Sequence, residues 1–171
     1  SQYIIELKTI DIGYRLPRVQ ISEMMGLLES LADRKETIVD LPKLAEELNF
    51  EIDDLFPIME ALEILRFARV SEGDIQLTDE GMQLVNADIL DRKKIFARHL
   101  INYVPLANQI RKELDVNLEH KISEQHFLQG LENYLSEQAA EEVLTTVIDW
   151  GRYAEVFAYD YNSGLLSLEN P

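Results

Sequence analysis

The chain has 171 residues, 46% hydrophobic and 28% charged, a composition ordinary for a globular fold of one domain or two small ones. Its 32 acidic and 16 basic residues leave a net charge of -16, with 8 basic and 19 acidic in residues 1–90 and 8 and 13 in residues 91–171, so both halves repel phosphate polyanions. No apolar run approaches the roughly 18 residues of a spanning helix, and the lack of cysteine excludes disulfides and thiolate ligands and fits a reducing cytoplasm.

The N-terminus lacks the basic start and long apolar core of a signal peptide. It begins at Ser1 without Met, as an excised piece of a longer protein would. Residues 3–10 read as a strand or an extended arm, with Tyr3, Ile5 and Leu7 in partial alternation. Gly13 and Pro17 interrupt regular structure, so residues 1–21 are set apart as an N-terminal arm and linker. Ser22 is the expected N-cap of a helix striped by Met24, Leu27, Leu28 and Leu31. Gly26 weakens that helix by roughly 1 kcal/mol relative to Ala, which points to close packing against a neighbour.

After a polar loop at residues 34–37, Ile38-Val39 is expected as a short strand beside a hairpin. Asp40 caps a second helix, with Pro42 in its first turn and Leu41, Leu44, Ala45 and Leu48 on one face. A turn at Asn49–Glu51 leads to a third helix faced by Leu55, Ile58, Met59, Leu62 and Leu65. Asp53 and Asp54 complement the positive end of its dipole, and Pro57 falls early enough to be tolerated. The period then changes to alternation, Ala68 and Val70 against Ile75 and Leu77 around a turn at Ser71–Asp74. Helix-turn-helix followed by a hairpin is the order of a winged helix. Thr78 caps a fourth helix faced by Met82, Val85 and Ile89, closing a winged-helix unit over residues 22–90.

Residues 91–171 form a second helical unit ending in a β-hairpin. Ile95, Phe96, His99 and Leu100 share a helix face that Pro105 kinks or splits, and Leu106, Ile110 and Leu114 continue the stripe. Val116–Lys121 reads as a loop. Ser123 and Ser136 are candidate caps of helices carrying Phe127, Leu128, Leu131 and Leu135, then Ala139, Ala140, Val143, Leu144, Val147 and Ile148. Val156–Tyr159 and Leu165–Leu168 flank a turn at residues 160–164. The order echoes residues 22–78 without a residue-level repeat. The expected class is mainly α with small β-hairpins, winged-helix-like, and it admits two such units in tandem.

Chemistry-bearing patterns are sparse. The third helix would be the recognition helix of a DNA reader, yet it offers Asp53, Asp54, Glu60 and Glu63, with Arg66 only at its end, where base and phosphate contacts need Arg, Lys, Asn or Gln. Arg92-Lys93-Lys94 with Arg98 is either a site for an acidic or phosphate-bearing partner or a solvated helix face. His99, His120 and His126 lack metal-ligand spacing, and the acidic residues form no EF-hand loop. Glu46-Glu47, Asp53-Asp54 and Glu141-Glu142 diverge by about 100° on a helix and read as surface charge. None of the seven glycines is followed by Lys, so there is no phosphate loop, and there is no nucleophile elbow. The single Trp, in Asp149-Trp150-Gly151-Arg152-Tyr153, is either a partner hot spot or a core residue at a helix end where Gly151 permits the turn.

A family likeness runs through Leu16-Pro17-Arg18-Val19 and Gly26–Glu29, Asp40-Leu41 with Leu44–Leu48, Asp54–Ile58 through Ala61-Leu62 and Leu65, Gly73–Thr78, Arg92–Ala97, and most specifically Ile148–Phe157. In this order the chain resembles the C-terminal AAA-associated domain that follows the ATP-binding cassette in some bacterial transporter ATPases of the nitrate, sulfonate and bicarbonate type, over about residues 16–169. The resemblance implies a non-catalytic accessory or regulatory domain without cofactor, cytoplasmic and held at the inner membrane face through its parent ATPase. The cassette's phosphate loop and signature sequence are missing from this chain. The implied partner is a protein: the cassette of the same or another chain, or a second copy. Nucleic acid and direct membrane insertion are not expected. The candidate contact residues are Trp150, Arg152, Tyr153, Arg92 and Lys93. The alternative reading is a nucleic-acid-binding winged helix of a transcriptional regulator; a third is a small-molecule sensor with ligand between the two helical units.

Overall fold

A computed structural model describes residues 8–168. Most of the expected N-terminal strand or arm lies outside the described residues. Helix α1 (Ile21–Ala32) starts two residues earlier than Ser22 suggested: Gln20 is its N-cap, and Glu23 Oε1 accepts the Gln20 N–H at 2.9 Å. A glutamate three residues into a helix can satisfy an orphan donor at its start, and that reach decides the boundary here. Gly26 has no heavy atom within 4 Å of where a Cβ would stand, so the close packing expected of it is absent.

The first unit then runs β1 (Val39–Asp40), α2 (Leu41–Leu48), α3 (Ile52–Ile64), β2 (Ala68–Ser71) and β3 (Asp74–Leu77). Asp40 caps α2 by accepting the Lys43 N–H at 3.3 Å. The sheet is antiparallel in the order β1-β3-β2, with Val39 opposite Ile75 and Val70 opposite Ile75 on its other side. Ser71 pairs with Asp74, so the hairpin turn is only Glu72-Gly73, both left-handed at φ 49° and 83°. That geometry matches the twist of paired strands.

Thr78 opens α4 (Asp79–Asn86): its Oγ1 accepts the Gly81 N–H at 2.9 Å and donates to Arg66 O at 2.6 Å. The expected face of Met82, Val85 and Ile89 is out of phase. Gly81 and Leu84 are the buried positions, while Met82 is exposed and Ile89, now at the start of α5 (Ile89–Tyr103), is 76% exposed. The phase follows from Gly81, whose missing side chain lets α4 sit on the Phe67 carbonyl; a Cβ there would lie 2.1 Å from that oxygen. Val104-Pro105 splits the next stripe as expected, giving α5 and α6 (Pro105–Val116).

The second unit runs α6, β4 (Lys121–Ser123), α7 (Glu124–Leu131), α8 (Glu137–Tyr153), β5 (Ala158–Asp160) and β6 (Leu165–Ser167). Ser123 and Ser136 are its caps, as expected. Strand β4 begins at the end of the expected loop and has too few residues to show a period. Its sheet has the order β4-β6-β5, with Ile122 opposite Leu166. Both units therefore carry helix, strand, helix, helix, hairpin with the same strand order, the winged-helix-like arrangement.

The third helix of each unit ends the same way. In α3, Arg66 N–H donates to Glu63 O and Phe67 N–H to Leu62 O; in α8, Glu155 N–H donates to Arg152 O and Val156 N–H to Gly151 O. Arg66 and Glu155 are left-handed at φ 70° and 58°, the stop that satisfies terminal carbonyls.

One apolar cluster spans both units. Phe96 on α5 lies 6.0 Å from Phe67 and meets Trp150 and Tyr153 edge-on at 6.4 and 5.3 Å. Residues expected to be a linker belong to this packing: Ile10, Leu16 and Val19 are buried, and the Val19 carbonyl accepts the Trp150 indole N–H at 2.9 Å. Gly151 is inside α8 rather than at its exit. Its bare Cα admits the Phe157 ring, which a Cβ would meet at 2.2 Å.

Three glycine substitutions separate these roles in denaturant titrations. Gly26→Ala on open helix surface raises stability by about 1 kcal/mol. Gly81→Ala and Gly151→Ala each lower it by about 1–3 kcal/mol or more, because the backbone or ring must move.

His99 is buried against Phe67, and its Nδ1 stands 2.6 Å from Leu65 O, so the neutral ring donates there. Burial, outweighing the bond to Leu65, holds its pKa below the usual histidine value. The unfolded chain therefore takes up the proton first as pH falls. His99 contributes stability that is full above about pH 6.5 and declines below it toward the lower folded pKa. The pH dependence of unfolding between about 6.5 and 5 is shallower in His99→Asn than in the parent chain.

Candidate partner-binding surface

Helix α3 occupies the recognition position of the first unit, and its outward face is partly covered. Asp53 and Asp54 are exposed, but Glu60 and Glu63 are half-buried. The segment from Lys8 to Arg18 reaches Glu60. Lys8 Nζ is 3.2 Å from Glu60 Oε2, and Tyr14 OH donates to the same carboxylate. Burial, then the bond to Glu60, hold the Tyr14 phenol above its usual pKa. Arg66, the cation expected at the helix end, turns inward: Nη1 donates to Lys8 O at 2.5 Å, Nη2 to Thr9 Oγ1 at 3.2 Å, and its guanidinium lies 4.5 Å from the Tyr103 ring centre.

What stays open on α3 is a groove of about 600 Å³ lined by Pro17, Arg18, Asp53, Phe56, Pro57, Met59, Glu60, Glu63 and Val70. Positions 53, 56, 57, 60 and 63 share one helix face. Phe56 is 48% exposed there. This outer stripe is outweighed in the sequence by the leucine-rich inner one, and the spacing of Phe56 within the carboxylates is its signal.

Helix α8, the corresponding helix of the second unit, is buried along most of its length, including Val143, Leu144, Val147, Ile148 and Trp150. Its exposed residues include Glu137, Glu141 and Asp149. Both recognition positions thus present carboxylates where phosphate contacts require cations. The second wing is fastened to α7 by Tyr159, whose hydroxyl donates to Glu124 Oε2 at 2.5 Å. That bond, with burial adding to it, pushes the phenol pKa up to about 12.

The five candidate contact residues separate. Trp150 is 0% exposed and its N–H is already donated, so the core placement holds and the hot-spot placement does not. The edge-on packing on Phe96 explains why a large aromatic is needed there. Arg92 fastens the end of α4, with Nη2 donating to Val85 O at 2.6 Å, Nε to Ala87 O at 3.1 Å and Nη1 to Glu29 at 3.0 Å. Lys93 is brought to Tyr153 and Glu155, 5.9 Å from the ring centre and 3.5 Å from the carboxylate. Arg152 is exposed and donates to Tyr161 OH at 2.6 Å. It lines a cleft of about 490 Å³ with Arg111, Glu155, Val156, Phe157, Ala158 and Leu168. Arg111 is itself engaged, donating to Val156 O at 2.7 Å and pairing with Asp115 at 3.2 Å.

Among the described residues no His, Asp or Glu cluster could hold a metal ion. His120 Nδ1 contacts Leu114 O at 2.8 Å, and His126 Nε2 pairs with Glu113 at 2.7 Å, so the histidines stand in separate structural contacts. No helix of the described residues is long and apolar enough to cross a membrane.

A search of curated proteins and a search of solved structures found no match. A protein-family model described as the C-terminal AAA-associated domain matches residues 42–160, from the first turn of α2 to the end of β5. The matched span takes in the first wing, the first strand of the second and the Trp150 segment, and on that coverage the chain belongs to the C-terminal AAA-associated domain family.

Proposed function

We propose that this chain is a non-catalytic accessory domain that works by contacting protein, its partner being the ATP-binding cassette of a bacterial transporter ATPase, in cis or in trans. Family membership supports an accessory role. The observation that carries the contact reading is the state of the two recognition helices. One is strapped by the Lys8–Arg18 segment and edged with carboxylates; the other is built into the core. With a net charge of -16, neither supplies the electrostatic attraction on which nucleic-acid affinity depends. The polar groups of the described residues are largely committed to caps, straps and sheet ends, which suits a scaffold more than a reaction centre. A regulatory effect would follow from docking, through any difference in affinity for two states of the cassette.

The test is addition of the purified chain to the cassette protein encoded with it. A defined complex in sedimentation, with a changed ATPase rate of the cassette and no turnover by this chain alone, is the expected outcome. Sub-micromolar DNA binding at low salt, or nucleotide hydrolysis by this chain, would overturn the reading.

A further inference from the structure

Deepening the protein-contact reading and resting on it, we infer that the groove on the outer face of α3 is the docking site, and that its occupant is a basic amphipathic segment of the partner protein. Such a segment presents one large apolar side chain flanked by Lys or Arg.

The floor and the rim specify this chemistry separately. Phe56 stands 48% exposed in a groove whose other apolar walls are Pro17, Pro57, Met59 and Val70. An aromatic ring held open beside apolar neighbours is the usual anchor of a binding surface, since most binding energy comes from such buried centres. The rim is acidic. Asp53 and Glu63 make no ion pair among the described residues, and neighbouring Asp54 makes none. Glu60 is already neutralised by Lys8, and Arg18 is the cation that shares the rim. An occupant with cations beside its apolar anchor removes unpaired negative charge while burying Phe56. A phosphate-bearing ligand would add to the repulsion. A second copy of this chain, net -16, would bring like charge to the same rim.

The groove is also held in shape before any partner arrives. The Tyr14–Glu60, Lys8–Glu60 and Arg66–Lys8 contacts fasten the Lys8–Arg18 segment to α3 and its end. A wall fixed in advance lowers the ordering cost of binding.

The test uses the whole chain and a synthetic amphipathic leucine–lysine peptide, followed by amide chemical shifts at physiological salt. Shifts centred on Arg18, Asp53–Glu63 and Val70 are expected, with affinity falling about tenfold or more in Phe56→Ala and in Glu63→Lys. Phe56 and Glu63 are not core residues, so both variants fold, which a thermal melt checks. Glu119→Lys, the same charge change on the second unit, shifts affinity less than about twofold. Shifts scattered over the surface, equal binding of a leucine–glutamate peptide, no loss in Phe56→Ala and Glu63→Lys, or self-association that protects Phe56 would each overturn the proposal. The same variants, mixed with the cassette protein, separate the two claims. Cassette binding unaffected by both substitutions would overturn the groove alone. Peptide binding in the groove without any cassette binding would overturn the choice of cassette as partner.

Discussion

The hydrogen bond from the Trp150 indole to the Val19 carbonyl ties the two ends of this structure together. A fully buried N–H must find an acceptor, and the acceptor here lies 131 residues away, in a segment without regular structure. The bond sets the end of α8 against the stretch leading into α1. Phe96 then fills the space between Trp150 and Phe67, so α5 becomes the strut across which the units share one apolar interior. The described stretch before α1, residues 8–20, is consequently a structural element, although nothing in it forms a helix or a strand.

That docking has a consequence for function. With Leu16 and Val19 buried, Lys8, Thr9 and Tyr14 lie along α3 and its end, where a nucleic-acid reader of this topology would keep its surface free. The second unit repeats the topology but spends its third helix on the interior. The same arrangement of elements therefore serves two structural ends in one chain, and neither matches the use best known for it. Topology alone is a poor guide to activity, and charge and exposure at the recognition helix are the better ones. Here they leave an acidic groove around one exposed phenylalanine.

The cations singled out by sequence show how local charge runs divide in three dimensions. Arg92 and Lys93 are adjacent in the chain, yet one turns to the carbonyls ending α4 and the other to Tyr153 and Glu155. Successive helix positions point about 100° apart, so a run of like charge along a helix is seldom one surface. Arg152 keeps its exposure but is oriented by Tyr161. These side chains act chiefly as fasteners between elements.

Local rules determined a good deal from the sequence alone. Asp40, Thr78, Ser123 and Ser136 were legible as caps, because capping is settled within three residues. The period of Leu55, Ile58, Met59 and Leu62 was enough to place the inner face of α3, and the change of period after Phe67 located the first wing. The order of elements and the family likeness were readable for the same reason. Only the tertiary structure decided the rest. The face of α4 depended on a glycine seated on a distant carbonyl, β4 depended on a partner strand at the far end of the unit, and the close packing expected at Gly26 falls instead at Gly151, because it is set by which distant ring arrives there. The burial of Trp150 and the strapping of α3 join residues far apart in sequence, and no local pattern encodes which distant group will be the acceptor.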